Sequence, residues 1–393
     1  MVEYEIGIPS DNRGTTFRQL DKDIQGLPWG TQEMPYSRDQ LRESRLLRYR
    51  PFRNCNDELD FANSTKNTNC KFYCFKANHP EARCGYRHFQ LRHCVKTTSR
   101  KDLYMVWQDN TIMHYNPFSK KAKKVKQGYS DPRIEIVSFD VMDNLVLSGG
   151  LEGELHLDDL SGNSLLREDL ADTDSTKITN YCSFFKEGSR ISILTCSNDH
   201  KVRIIDPENF RGLHVYEFKS CVNHGAFSPD KNLLGVALDA QECYIRDLRC
   251  VEDVYELEGH KDYGFGFAWH PGDSNIVATG NQDMSVMIWD LRKGSKLSPL
   301  YTLCGNMGGI LNVKFSKDGK YLAFSESADF FHVYDTRSFT ESQVVDVFGE
   351  ISGFCFSSED SNPQNLYLGM ADATYSSLLE FSVSEQLIDN ILI

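Results

Sequence analysis

Between Phe265 and Asp290 the chain shows three short apolar-rich runs separated by turn residues. Phe265-Gly266-Phe267-Ala268-Trp269 reads as a half-buried strand, because successive side chains of an extended chain face opposite sides. His270-Pro271-Gly272-Asp273 supplies turn chemistry, and Ile276-Val277-Ala278-Thr279-Gly280 a second strand. Asn281-Gln282-Asp283 is a second turn, and Ser285-Val286-Met287-Ile288-Trp289-Asp290 a third strand.

The unit recurs. The position held by Trp289 returns as Tyr115, Asp158, Ile205, Arg246, Tyr334 and Phe381, at gaps of 43, 47, 41, 43, 45 and 47 residues. A first-strand anchor held by Trp269 returns as Val95, Phe139, Phe185, Phe227, Phe315 and Phe356. It precedes its partner by 19 or 20 residues in six of seven cases and by 25 in the last. Turn residues follow it where a strand must reverse, as in Phe227-Ser228-Pro229-Asp230 and Phe315-Ser316-Lys317-Asp318-Gly319. Such a period is that of propeller blades, each a small antiparallel sheet packed on its neighbours. The expectation is an all-β chain of seven blades from about residue 87 to the C-terminus.

From Gly259-His260 to Trp289-Asp290 the chain closely resembles a WD repeat. That resemblance implies a buried tetrad of Trp289, Thr279, His260 and Asp283: indole N–H to threonine hydroxyl, hydroxyl to histidine, histidine to aspartate. The offsets return in part, with Asp199 and Thr195 before Ile205, Asp109 before Tyr115 and Ser148 before Asp158. One blade has the full set, so the others must depend more on plain packing. The seventh blade needs a fourth strand to leave no open edge. Lys71-Phe72-Tyr73-Cys74-Phe75-Lys76 is favoured over the 386–393 tail for that role.

Residues 1–86 do not follow the repeat and are expected to form an extension. Residues 1–36 read as extended or partly disordered chain, and Ser37-Arg38-Asp39-Gln40 as a capping box opening a helix near 38–50 that Pro51 ends. Arg38, Arg42, Arg45, Arg48, Arg50 and Arg53 crowd it. They either salt-bridge an acidic propeller, with Leu41, Leu46 and Leu47 as the docking side, or meet an acidic partner. Ile24-Gln25-Gly26-Leu27-Pro28-Trp29 and His88-Phe89-Gln90-Leu91-Arg92, with this helix, are similar to the N-terminal signature of a functionally uncharacterised plant and fungal group of WD-repeat proteins. The resemblance supplies architecture and no chemistry.

A formal charge of −13 over 393 residues argues against broad nucleic-acid binding, which needs basic surface to release phosphate counterions. No apolar run approaches the 18 or so residues of a membrane span. The start, Met1-Val2-Glu3-Tyr4-Glu5, does not read as a secretory signal. Twelve cysteines without paired spacing suit reduced thiols in the cytoplasm or nucleus. Cys70, Cys74, Cys84 and His88 could form a zinc array, but the spacing matches no standard finger, and packed strand cysteines are the preferred reading; no metal or cofactor is expected. Lys120, Lys121, Lys123, Lys124 and Lys126 form a basic run, read as a charged sheet edge or as a nuclear import signal or local phosphate patch.

The sequence contains no G-x-x-x-x-G-K, G-x-S-x-G or H-E-x-x-H, and no catalytic activity is expected. Three successive third strands end in D-x-R: Asp247 with Arg249, Asp290 with Arg292, Asp335 with Arg337. This resembles the motif by which WD-repeat substrate receptors dock on the adaptor of cullin–RING ubiquitin ligases. A plain intrablade turn with an internal salt bridge is the preferred reading of it. The chain is expected to be a scaffold or adaptor binding other proteins, with a ubiquitin-ligase substrate receptor as the alternative.

Overall fold

A computed structural model describes residues 24–32, 34–49, 54, 70–125, 135–170, 177–249, 252–294, 296–357, 364–372 and 375–384. Helix α1 (Arg38–Tyr49) precedes β1 (Tyr73–His79). The first sheet then comprises β2 (Val95–Ser99), β3 (Asp102–Val106), β4 (Ile112–Asn116) and β5 (Lys121–Lys124). The second comprises β6 (Ile136–Met142), β7 (Leu145–Gly150), β8 (Glu154–Asp159) and β9 (Ser164–Asp169). The third comprises β10 (Thr179–Glu187), β11 (Arg190–Ser197), β12 (Lys201–Ile205) and β13 (Gly212–Glu217).

The fourth sheet is β14 (Val222–Phe227), β15 (Leu233–Leu238), β16 (Cys243–Asp247) and β17 (Glu252–Leu257). The fifth is β18 (Gly264–Trp269), β19 (Ile276–Asn281) and β20 (Ser285–Asp290), with β21 (Lys296–Leu297) diverted to the edge of β17 and β22 (Tyr301–Cys304) as its outer strand. The sixth runs β23 (Ile310–Phe315), β24 (Tyr321–Glu326), β25 (Ala328–Asp335) and the first part of β26 (Ser342–Phe356). The second part of β26 opens the seventh sheet, followed by β27 (Leu366–Ala371), β28 (Ser376–Val383) and β1.

Every first-strand anchor lies in the first strand of its sheet, and every position equivalent to Trp289 lies in the third. The wider last spacing comes from the longer connection between β26 and β27. Between successive sheets lie apolar clusters, and one joins the last sheet to the first through Cys355, Tyr367, Leu378, Val95, Met105 and Tyr115. Each first strand touches the next, and β26 touches β2, so the sheets form a ring. The architecture is the all-β seven-bladed propeller expected. Outer strands such as β5 and β9 are exposed and polar, because only their inner neighbours are packed on both faces.

Two details depart from the sequence reading. The closing strand starts at Tyr73, where the backbone N–H groups of Phe72 and Tyr73 both donate to Gln343 Oε1 at 2.8 Å, and runs on to His79. Residues 24–32 and 34–36 are irregular chain held on the propeller: Gln25 is buried and donates to Phe348 O at 2.6 Å, and Met34 is buried. The expectations for residues 1–23 and for a strand at 386–393 lie outside the described residues.

In six sheets the first strand carries a register shift near its start, at 136/138, 179/181, 222/224, 264/266, 310/312 and 351/353. At the joint between seventh and first sheets, Gly353 adopts φ +150°, and an added Cβ would come within 2.8 Å of Arg92 O. Only glycine permits that approach.

Candidate functional site

Three places carry the residues singled out by sequence: the core of the fifth sheet and the two loop-lined faces of the ring. In the fifth sheet the indole Nε1–H of Trp289 donates to Thr279 Oγ1 at 2.9 Å. Thr279 Oγ1 lies 2.8 Å from His260 Nε2, and His260 Nδ1 lies 3.0 Å from Asp283 Oδ2. With the indole as donor, the threonine hydroxyl donates onward to Nε2 and the histidine donates from Nδ1 to the carboxylate. Burial works against the Asp283 charge, but His260 and the Ser285 hydroxyl outweigh it and hold its pKa below the usual range. The side chains of His260 and Asp283 are wholly buried, so this tetrad ties the loop before β18 to the β19–β20 turn and offers nothing to solvent.

Degenerate sheets use other clamps, which sequence reading missed. In the sixth, Glu326 accepts from the backbone N–H groups of Asn306, Met307 and Gly308 at 2.6, 2.6 and 2.7 Å, and from His332 Nε2 at 2.7 Å. At the last joint, His79 on β1 meets Glu380 at 3.1 Å and Tyr115 Oη at 3.0 Å. The partial sets found by spacing do other work: Asp199 pairs with Arg203, and Asp109 accepts from the Thr111 hydroxyl.

The D-x-R residues sit where third strands end. In each, the aspartate accepts the arginine's own backbone N–H, at 2.9 Å for Asp247, 3.1 Å for Asp290 and 2.8 Å for Asp335. Each arginine returns Nε and Nη2 to the same carboxylate. Arg249 pulls Asp247 down to about 2, and Arg292 likewise lowers Asp290. The internal salt bridge is therefore present in all three blades. The arginine side chains nonetheless stay 70%, 58% and 85% exposed, so pre-oriented guanidinium groups stand at the surface of three successive blades. This face also carries the first-to-second-strand turns, as the 3.7 Å approach of Arg292 to Asp273 shows.

The opposite face holds the arm. Arg42 and Arg45 both bind Asp329; Arg42 also reaches Asp346 at 2.6 Å, and Arg45 reaches Asp372 at 2.8 Å. Arg45 lies 4.2 Å over the ring of Phe348, and Trp29 meets that ring edge to face with centroids 4.7 Å apart. Of the two readings of this basic helix, the contacts of Arg38, Arg42 and Arg45 are those of docking on propeller acids, whereas Leu46 and Leu47, expected on the docking side, are both exposed. Arg50 and Arg53 lie outside the described residues, as does Lys126. Lys121, Lys123 and Lys124 form the exposed outer strand β5.

Where α1 ends, Tyr49, Tyr86, Phe89, Arg92, Met307 and Glu350 line a cavity of about 60 Å³. Arg92 is buried, lies 3.3 Å over the Tyr86 ring, and pairs with Glu350 at 2.8 Å. The sequence signal was an arginine closing the His88–Arg92 motif; its partner, in mid-β26, carried none. The proposed zinc array comes apart: Cys74 is in β1, Cys84 is buried with Sγ 3.6 Å from Met105 Sδ, and His88 Nδ1 accepts from two backbone N–H groups. No group of three or more His, Cys, Asp or Glu among the described residues could hold a metal ion.

Residues 251–290 match the family model "WD domain, G-beta repeat". The chain is 34% identical over 84 residues to THO complex subunit 3 of Arabidopsis thaliana, covering 21% of this chain and 25% of that protein. It is 31% identical over 139 residues to an uncharacterised WD repeat-containing protein of Synechocystis, covering 34% and 37%. It is 30% identical over 100 residues to ribosome assembly protein 4 of Chaetomium thermophilum, covering 25% and 18%. The matched stretch thus spans about a third or less of each relative's length. No helix among the described residues is long and apolar enough to cross a membrane. Residues 251–290 thus match a WD repeat, and seven four-stranded blades with a complete Trp–Thr–His–Asp tetrad in that repeat give the chain the fold of a WD-repeat β-propeller.

Proposed function

We propose that this protein is a non-catalytic scaffold or adaptor that binds other proteins through the loop-lined faces of its ring, in the cytoplasm or nucleus. The observation that carries the reading is the row of clamped, exposed arginines on blades four to six. Each guanidinium is oriented by its own aspartate before any partner arrives, which lowers the entropy lost on binding. The cavity beside α1 supports the same reading. At about 60 Å³ it admits a side chain, against the 300–1,000 Å³ of small-molecule sites. Relatives named as a complex subunit and an assembly protein fit a role in multiprotein assemblies.

The Trp289-Asp290-Leu291-Arg292 sequence favours a second reading, a substrate receptor docking on a cullin-ligase adaptor through Arg249, Arg292 and Arg337 with Asp290 and Asp335 holding the turns. Affinity purification of wild type beside an Arg292→Ala/Arg337→Ala double variant separates the two. The scaffold reading expects stable protein partners, with those on the arginine face lost from the variant. Cullin adaptor subunits recovered with wild type alone would support the second reading; their absence from both samples would end it. A wild-type sample with no stoichiometric partner would overturn both.

A further inference from the structure

The axis of the ring holds a cluster of charges that neither reading uses. Two residues beyond the register shift of each first strand, the chain reaches one common level around the axis. In β6, β23 and β26 that level is Asp140, Lys314 and Cys355. In β2 it is Lys96, two residues past Cys94, which accepts the Val106 N–H at the register-shift level. On the other side it is Ser183, Ala226 and Ala268, whose side chains are small and uncharged.

The charges do not balance. Lys96 pairs with Asp140 at 3.2 Å and faces the Tyr181 ring at 5.5 Å. Lys314 donates to the backbone carbonyl of Phe354 at 2.7 Å and has no carboxylate partner among the described residues. Above the lysines, His93 stacks on His224 with centroids 4.7 Å apart and meets Tyr181 at 5.0 Å. Both histidines are buried, and His93 Nε2 is buried without a hydrogen-bond partner. Burial, Lys96 and Lys314 push His224 down to about 3, and burial with His224 and the two lysines pushes His93 well below its usual value. Both rings are therefore neutral near pH 7. Two ammonium groups then face one carboxylate.

We propose that this axial cluster is a binding site for one small oxyanion, held between the ammonium groups of Lys314 and Lys96 with His93 Nε2 as a neutral donor. Lys314 is half-buried, an uncompensated charge so placed is costly, and an anion offsets that cost without disturbing the Lys96–Asp140 pair. Lys314 already shows the tension: burial and the neighbouring Lys96 lower it to about 8. Asp140 and Cys355 are the opposing groups and do not restore it. Above about pH 8 the free Lys314 sheds its proton, so binding must take one up and weakens about tenfold per pH unit.

Calorimetry with inorganic sulfate, which stays a dianion across this range, tests the site. Wild type is expected to show saturable one-to-one binding at pH 7, to lose affinity above about pH 8, and to keep it in Lys314→Arg. Lys314→Met is expected to bind at least tenfold more weakly. No saturable binding of either sulfate or acetate by wild type, or equal binding by Lys314→Met, would overturn the proposal. Sulfate also stabilises proteins by exclusion from their surface, so a melting-temperature rise of the same size in Lys314→Met and wild type counts against it too. Saturation by acetate and not sulfate supports the site with a carboxylate, supplied by an acidic side chain, as its anion. The wild-type pH profile needs no variant and stands even if Lys314→Met folds poorly.

Discussion

Trp289 is wholly buried, and its single polar atom has a single acceptor, Thr279 Oγ1. Removing the indole leaves both a cavity and a threonine hydroxyl with one fewer partner. Trp289→Ala is therefore expected to destabilise the protein by about 3–5 kcal/mol, seen as a lower urea midpoint. A midpoint equal to wild type would contradict the burial and the tetrad alike. These residues were legible because they are close in sequence: Thr279 and Asp283 lie ten and six residues before Trp289, within one hairpin. Arg92 and Glu350 were not, since 258 residues separate them and a buried ion pair leaves no local pattern. Lys96 and Lys314 were equally hidden, because alternation marks which residues are apolar and says nothing of which strands share a level around an axis.

At the scale of elements, α1 shows what a charge stripe can and cannot tell. Arg38, Arg42 and Arg45 lie on one helical face, at spacings of four and three. The capping box predicted the helix, and the stripe an acidic counterpart. The counterpart is Asp329, wholly buried at φ +68°, with Asp346 on β26 and Asp372 just after β27. Asn tolerates that backbone, so Asp329→Asn removes the shared charge with little strain. Hydrogen exchange across residues 38–49 is expected to accelerate at least tenfold in this variant, with the inner strands unchanged. Equal protection in both proteins would mean that the arm is held by Gln25, Trp29 and Met34 and not by its arginines. The basic strand β5 is simpler: Lys121, Lys123 and Lys124 form an exposed edge, and that arrangement suits discouraging edge-to-edge pairing.

The whole molecule depends on a strand that lies outside the repeat. β1 pairs with β28 from Tyr73↔Val383 to His79↔Leu378, completing the last blade with chain from the other end. Deleting residues 1–79 strips Tyr73 and Phe75 from the seventh-blade core and bares the ladder of β28. That truncation is expected to aggregate or melt far below wild type; light scattering and calorimetry check it. An equally stable 80–393 chain would show that the ring closes without β1. By itself the sequence determined the fold class, the blade count and the helix, because period-two alternation, turn residues and capping act over a few neighbours, and it pointed to the tetrad through the resemblance to a WD repeat. Only the tertiary structure decided which aspartates the arm meets, that β26 serves two sheets, that the D-x-R arginines are both clamped and exposed, and that two lysines share the axis. Those contacts join residues hundreds of positions apart, and closing the ring, rather than any local preference, sets which of them meet.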